Sequence, residues 1–285
     1  MRVLGVGIAT LDIINTVASY PLEDEEIRVL SQRRARGGNA TNTLVILSQQ
    51  GHACSWAGVL PLEPDAELVL ADLGHYQVQT DFCTRPRRGK LPTSYISLSQ
   101  ATGSRTIVHY RDMPEYCFRA FDRIDLGPFD WIHFEGRAVS ELAPMLEKVA
   151  GRPGLRCSLE VEKPRQGIEA LLPLADLVLF SREYVISRGH DRAMSFLRQI
   201  SSRVREPYVA WGELGAWAMD QAGRLHHSPA FSPREIQDTL GAGDVFNAGI
   251  IHSRMRGSLV PEALDYACRL AGYKCGIEGF SGVVI

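Results

Sequence analysis

Asp238-Thr239-Leu240-Gly241-Ala242-Gly243-Asp244 runs directly into Val245-Phe246-Asn247-Ala248-Gly249-Ile250-Ile251. A turn of small residues followed by an apolar stretch reads as the entry to a helix. The first backbone N–H groups of a helix lack internal acceptors, and the macrodipole adds partial positive charge there. Glycines let a ligand approach that backbone, so Gly241, Ala242 and Gly243 are candidates for an anion hole. Asp244 falls in the first turn, a carboxylate beside the anion site. As a cap it would only close the turn. As a general base it would take a proton from a hydroxyl while the amides hold the phosphoryl group that the hydroxyl attacks.

A second glycine-led helix entry stands near the other end of the chain, in Arg36-Gly37-Gly38-Asn39-Ala40-Thr41-Asn42. The pattern predicts a helix from Ala40 to about Gln50, closed by Gly51. Asn39 and Asn42 are three apart and share one face near its start. Each carries donors and acceptors, which suits a polyhydroxylated ligand. Asp12, placed at the end of the first apolar strand, is a third polar group of this kind.

Composition bounds the remaining choices. A hydrophobic fraction of 45% over 285 residues is that of a folded globular chain. A formal net charge of −2 gives no footprint for nucleic acid. Basic residues cluster at 33–36 and 85–88, where solvated loop charge is the expectation and attraction for phosphate the second reading. The six cysteines show no paired or zinc-binding spacing, which fits reduced thiols in a cytoplasmic protein. Residues 1–7 read as a strand, not a signal segment, and no apolar run reaches membrane-spanning length. Gly5-Val6-Gly7 lacks the third glycine of a dinucleotide fingerprint, so strand and turn geometry explains it better.

Periodicity alternates strands with helices. Apolar runs at Val3–Ile8, Trp131–Phe134, Cys157–Val161, Leu177–Phe180 and Tyr208–Trp211 read as buried strands. Helical stretches follow at Ala40–Gln50, Glu141–Ala150, Ile168–Leu172, Arg192–Val204, Gly243–Arg256 and Pro261–Lys274. The expected class is α/β, a mostly parallel central sheet flanked by helices, with ligands outside the carboxyl ends of its strands. Ile13–Leu30 and Thr93–His109 break the rhythm with apolar–polar alternation, the second holding a hairpin turn at Ala101–Ser104.

The early Gly37-Gly38-Asn39 and the late Asp238–Asp244 segment resemble the two signatures of the ribokinase-like (PfkB) carbohydrate kinases. Within that family the ketohexokinase group is the more similar. Tyr20-Pro21 through Arg33, Trp131-Ile132-His133-x-Glu135-Gly136-Arg137, Glu160-Val161-Glu162-Lys163-Pro164-Arg165 and Gly272-x-Lys274-Cys275-Gly276 carry that likeness. The resemblance spans the chain to Gly279–Gly282 and implies a ribokinase-like fold in a single 1–285 domain. It makes residues of about 13–36 and 90–111 a small β-sheet lid. It implies transfer of the γ-phosphoryl group of ATP to a ketohexose, D-fructose giving the 1-phosphate. Another sugar, a nucleoside or a sugar phosphate is the rival substrate, and a silent sugar or nucleotide sensor the rival class.

The resemblance also distributes the work. Asp12, Gly38, Asn39 and Asn42 correspond to ketose-contacting groups, with Arg105 near sugar and phosphoryl group. Asp24 corresponds to a group that reaches the sugar of a partner subunit in a homodimer paired through the lids. Asp244 is the implied base above the hole of Gly241, Ala242 and Gly243. Trp211, Glu213 and Gly215 correspond to the nucleotide side, and Lys274, Cys275 and Gly276 to the far wall of the adenine pocket. Magnesium with ATP is implied, as is a monovalent cation such as K+ near the anion-hole loop. The broader family's Asn-x-x-Glu motif is replaced by Ser181-Arg182-Glu183-Tyr184, so no protein ligand for the metal is named.

Overall fold

The computed structural model describes residues 1–285. In chain order the first half forms β1 (Arg2–Val6), β2 (Thr10–Val17), β3 (Ser31–Gly37), α1 (Asn39–Gln49), β4 (Ala53–Ala57), α2 (Pro64–His75), β5 (Thr93–Ser99), β6 (Arg105–Tyr110) and α3 (Phe118–Phe121). There follow β7 (Trp131–Glu135), α4 (Val139–Ala150), β8 (Arg156–Val161), β9 (Leu177–Phe180), α5 (Arg182–Ser187) and α6 (Ala193–Ile200). The chain closes through β10 (Pro207–Ala210), β11 (Ala216–Met219), β12 (Leu225–Ser228), α7 (Ala242–Met255) and α8 (Val260–Cys275).

Eight strands form the main sheet in the order β12-β11-β10-β9-β8-β7-β1-β4. Pairing is parallel from β4 to β10 and antiparallel at β11 and β12. Side chains alternate across a strand, and the core divides accordingly. Val3, Trp131, Leu177 and Leu179 face the layer built by α1, α7 and α8. Leu4, Ile132, Val178 and Phe180 face the layer built by α4 and α6. Two apolar faces explain why these strands read as continuous hydrophobic runs.

A second sheet, in the order β3-β2-β5-β6, forms the lid. Its β2–β5 pair is parallel and its outer pairs antiparallel. The β5–β6 hairpin turns where the sequence places it, with Leu98 opposite Arg105.

Four expectations change. Asp12 does not end the first strand: β1 stops at Val6, and Asp12 lies inside β2, paired in register with Ala35 and Ser94. The helix expected at Ile168–Leu172 is two 3-10 turns, Ile168–Ala170 and Leu172–Leu174. Pro173 has no N–H to continue a ladder and biases Leu172 away from helix. Strands β4, β11 and β12 and helices α2, α3 and α5 were not among the predicted elements. The arginines at 33–36 are not loop charges but belong to β3, each facing a carboxylate or the core.

Candidate active site

Helices α1 and α7 pack against each other and bring their N-termini together. Asn42, in the first turn of α1, donates from Nδ2 to Asp244 Oδ2 in the first turn of α7 at 2.7 Å. Thr43 Oγ1 donates to the Asp244 carbonyl at 3.3 Å. Residues 202 positions apart in sequence thus meet where both helices present free N–H groups. Gly38 caps α1 at φ 107°, and a Cβ there would lie 2.2 Å from the Ile8 carbonyl. Gly241 caps α7 in the left-handed region at φ 76°, its Cα face against Phe280. Neither position has room for a side chain, whereas Gly243 opens to solvent beside Asp244.

Arg36 holds the other side of Asn42. Its guanidinium, 4% exposed, donates to Asn42 Oδ1 and Thr41 Oγ1 and pairs with Asp72. Asp72 is half-exposed, so the buried guanidinium is anchored at one end by a carboxylate that still meets solvent. Asn42 is therefore clamped at both ends, its oxygen turned to Arg36 and its amide to Asp244. A cavity of about 210 Å³ opens beside it, lined by Asp12, Arg36, Asn42, Asp238, Leu240 and Phe280 among others. Asp244 is not in that lining; Asn42 spans from the cavity wall to its carboxylate. In the cavity wall Asp12 accepts Thr10 Oγ1 at 2.8 Å.

Carboxylates crowd the carboxyl ends of the central strands. Glu160, at the end of β8, accepts the amides of Asn39 at 3.1 Å and Asn247 at 3.0 Å on Oε1. Its other oxygen is buried without a partner. Glu162 accepts Asn39 at 3.3 Å, and Glu135 accepts the Ile8 N–H at 2.9 Å and pairs with Arg137. Burial pushes the Asp244 carboxyl up to about 8; the Asn42 amide opposes this, Glu162 and Glu135 add to it, and Arg36 opposes it. Glu160 is raised well above an ordinary carboxylate, first by burial and then by Asp244, Glu135 and Glu162. Burial also raises Asp12 and Glu135. A buried carboxyl poised near neutrality is suited to accept a proton in turnover.

The remaining expected residues divide. Arg105, at the start of β6, reaches from the lid to Thr239 Oγ1 at 3.5 Å. Trp211 directly follows β10 and is buried under the Arg182 guanidinium, 5.6 Å from its ring. Glu213 is exposed on the following 3-10 turn, which Gly215 closes. Cys275 and Gly276 end α8, where the Cys275 carbonyl accepts the N–H groups of Gln237 and Asp238. Burial raises the Cys275 thiol, which removes a thiolate reading. Lys274 does not line a pocket wall: its side chain is fully buried and turned inward to Asp238. Asp24 is exposed in the β2–β3 loop and makes no side-chain hydrogen bond within the chain.

Arg36, Glu135, Glu160, Glu162 and Asn247 were given no job by sequence reasoning. Glu135 and the 160–162 pair sat inside quoted motifs, and their place at the ends of buried strands was the available signal. In the cationic segment near 85–90, Arg85 and Lys90 lie 3.7 and 3.9 Å from Glu67 and Asp65 of α2, while Arg87 and Arg88 are exposed. No three His, Cys, Asp or Glu side chains converge as a metal cage.

Known proteins place this geometry. The chain is 40% identical to mouse ketohexokinase over 99% of both chains. It is 25% identical to the fructosamine kinase of Bacillus subtilis over 86% of each. The fold superposes on Arabidopsis thaliana ribokinase, solved with ribose and ATP, at a TM-score of 0.79 and 17% identity, covering 98% of this chain and 93% of that one. The profile of the pfkB family carbohydrate kinases matches residues 2–281, and the chain belongs to that family.

Proposed function

We propose that this carbohydrate kinase transfers the γ-phosphoryl group of ATP to the 1-hydroxyl of a free ketohexose, D-fructose being the preferred acceptor. The observation that carries the reading is the Asn42–Asp244 junction at the mouth of α7, which joins a hydroxyl-binding amide to a buried base. Asp12, Gly38, Asn39 and Asn42 hold the sugar, with Arg105 above it. Ionised Asp244 takes the proton of the attacking hydroxyl. That oxygen forms the new P–O bond as the bond to ADP breaks, and Asp244 returns its proton to solvent. Gly241, Ala242 and Gly243 hold the transferred group by their N–H groups. Trp211, Glu213, Gly215, Cys275 and Gly276 flank the nucleotide. The full-length relation to a ketohexokinase favours a free sugar over a sugar phosphate.

The working unit in this reading is a cytoplasmic homodimer joined through the lids. All six residues of β6 are exposed on a sheet edge, Ile107 and Val108 among them, and Tyr95 of β5 is bare beside them. Unpaired edges of this kind invite a second strand. Pairing with a symmetric copy would carry exposed Asp24 toward the partner's sugar. A coupled ADP-release assay over a panel of sugars, followed by NMR of the product, tests the activity. A 6-phosphate product, or a tenfold preference for ribose or adenosine over fructose, overturns it.

A further inference from the structure

An asparagine can face a carboxyl group with either end of its amide, and the two choices favour opposite protonation states. An amide N–H donates to an ionised carboxylate, whereas an amide oxygen can only accept the proton of a neutral acid. Asn42 makes the first choice, Nδ2 to Asp244 Oδ2 at 2.7 Å. Arg36 imposes it. A guanidinium is donor-only, so the atom of Asn42 that meets Arg36 Nη1 is the oxygen. With Oδ1 turned that way, Nδ2 is left for the carboxylate, and its second N–H remains for a substrate hydroxyl.

Arg36 is itself held from several sides. Nε pairs with Asp72 of α2, Nη1 also donates to Thr41 Oγ1 at 3.1 Å, and the Phe280 ring lies 5.6 Å from the guanidinium carbon. The Thr41 hydroxyl lies 2.9 Å from the carbonyls of both Gly37 and Gly38, so the same charge is tied to the entry of α1. The charged groups that face Asp244 from the elements around it are Glu135 of β7, Glu160 at the end of β8, Glu162 just beyond it, and Arg36 of β3. Three are carboxylates that favour the neutral acid; Arg36 is the positive charge among them. Asp12 of β2 faces the same guanidinium. Against burial and the neighbouring carboxylates, the Asn42 amide and the Arg36 charge both pull the Asp244 carboxyl down.

We propose that Arg36 is a positioning residue for phosphoryl transfer: by fixing which end of the Asn42 amide faces Asp244, it keeps that carboxyl available as an ionised base near neutral pH. The proposal rests on the kinase reading of the Asp244 site. Arg36 touches neither the transferred group nor the attacking hydroxyl, and acts through Asn42.

Arg36→Met keeps the apolar stem and removes the donors, while Arg36→Lys keeps a donor-only cation. Two readouts test each variant. One is the pH profile of kcat/KM with fructose from about pH 6 to 10. The other is a carbon NMR titration of the aspartate carboxyls without substrates, Asp244 being the signal lost in Asp244→Asn. In Arg36→Met the kinetic limb and the Asp244 signal both move up by about one pH unit. Its kcat/KM is then about tenfold below wild type at pH 7 and within about threefold of it at pH 10. Arg36→Lys falls between the two. In an Asn42→Leu background Arg36→Met moves the Asp244 signal by less than about half as much, because the amide through which it acts is gone. A loss equal at every pH overturns the proposal, as does an Asp244 signal that stays in place or a shift undiminished without Asn42. Should Arg36→Met not fold, Asn42→Leu alone must raise the Asp244 signal by about one unit, and an unmoved signal overturns the proposal. The NMR arm needs no turnover. A shifted signal with an unshifted kinetic limb supports the action of Arg36 on Asp244 and overturns the reading of Asp244 as the base.

Discussion

Replacing Asp244 with Asn should separate catalysis from stability in opposite directions. Asparagine keeps the size of the side chain and still offers an oxygen to Asn42 Nδ2, so the α1–α7 junction survives. It removes the only group at that point able to take the hydroxyl proton. General-base catalysis is worth about 10²–10⁴-fold, and the loss should fall on kcat with ATP affinity nearly intact. Stability should move the other way. The native carboxyl is pushed up to about 8, against 3.8 for an unburied aspartate. Between those values the native state holds a proton that the unfolded chain has released, so stability falls as pH rises through this window. Asn has no such penalty. Even one pKa unit is worth about 1.4 kcal/mol, or about 3 °C in melting midpoint for a chain of this size. Near pH 8 the variant should therefore melt higher than wild type, with the difference vanishing near pH 4. Calorimetry across pH and a coupled assay for ADP release measure the two halves. Near-normal kcat, or a lower melting point at pH 8, would refute the reasoning.

In wild type, kcat/KM should rise with pH toward about 8, where Asp244 ionises, and the profile of the Asn variant should lose that limb. Gly38→Ala should cost several kcal/mol of stability by denaturant melts, because its Cβ would lie 2.2 Å from the Ile8 carbonyl; a loss under about 1 kcal/mol would contradict that close approach. Glu160→Ala should lower kcat more than Glu160→Gln, since only the amide preserves an acceptor for Asn39 and Asn247; equal losses would show that the ionised charge, not the bridge, matters. Asp24→Ala should raise sugar KM and leave ATP affinity unchanged, with light scattering reporting a dimer; a monomer with full activity would end the shared-site reading.

What the sequence disclosed and withheld follows physical lines. Long apolar runs such as Cys157–Val161 declared themselves because both faces of the strand are buried. The glycine-led entries to α1 and α7 were legible because only small residues fit there, and Asn42 and Asp244 duly meet. Ala216–Met219, no shorter than the predicted Leu177–Phe180, carries alanines where that strand has branched apolar residues and gives no strand signal. Lys274 was misplaced for a different reason. Its position at the end of α8 sets where its backbone lies, but whether a long side chain turns outward to a ligand or inward to Asp238 depends on a loop 36 residues away in sequence. The Arg33–Arg36 run was hidden in the same way, since its partners Asp72, Asp238 and Glu278 come from three other segments.

The place of β1 between β4 and β7 has a bearing on how this protein is made. Val3 pairs in register with Cys54 on one side and Trp131 on the other. At ribosomal speeds of about 5–20 residues per second, the second neighbour emerges roughly 6–25 s after the first strand. Throughout that interval an apolar strand waits with one edge bare, and the Asn42–Asp244 contact waits longer still, until α7 is synthesised. The nascent chain is thus most exposed to misassembly during the first half of its synthesis, a period in which a holding chaperone would find β1 and β4 as its natural target.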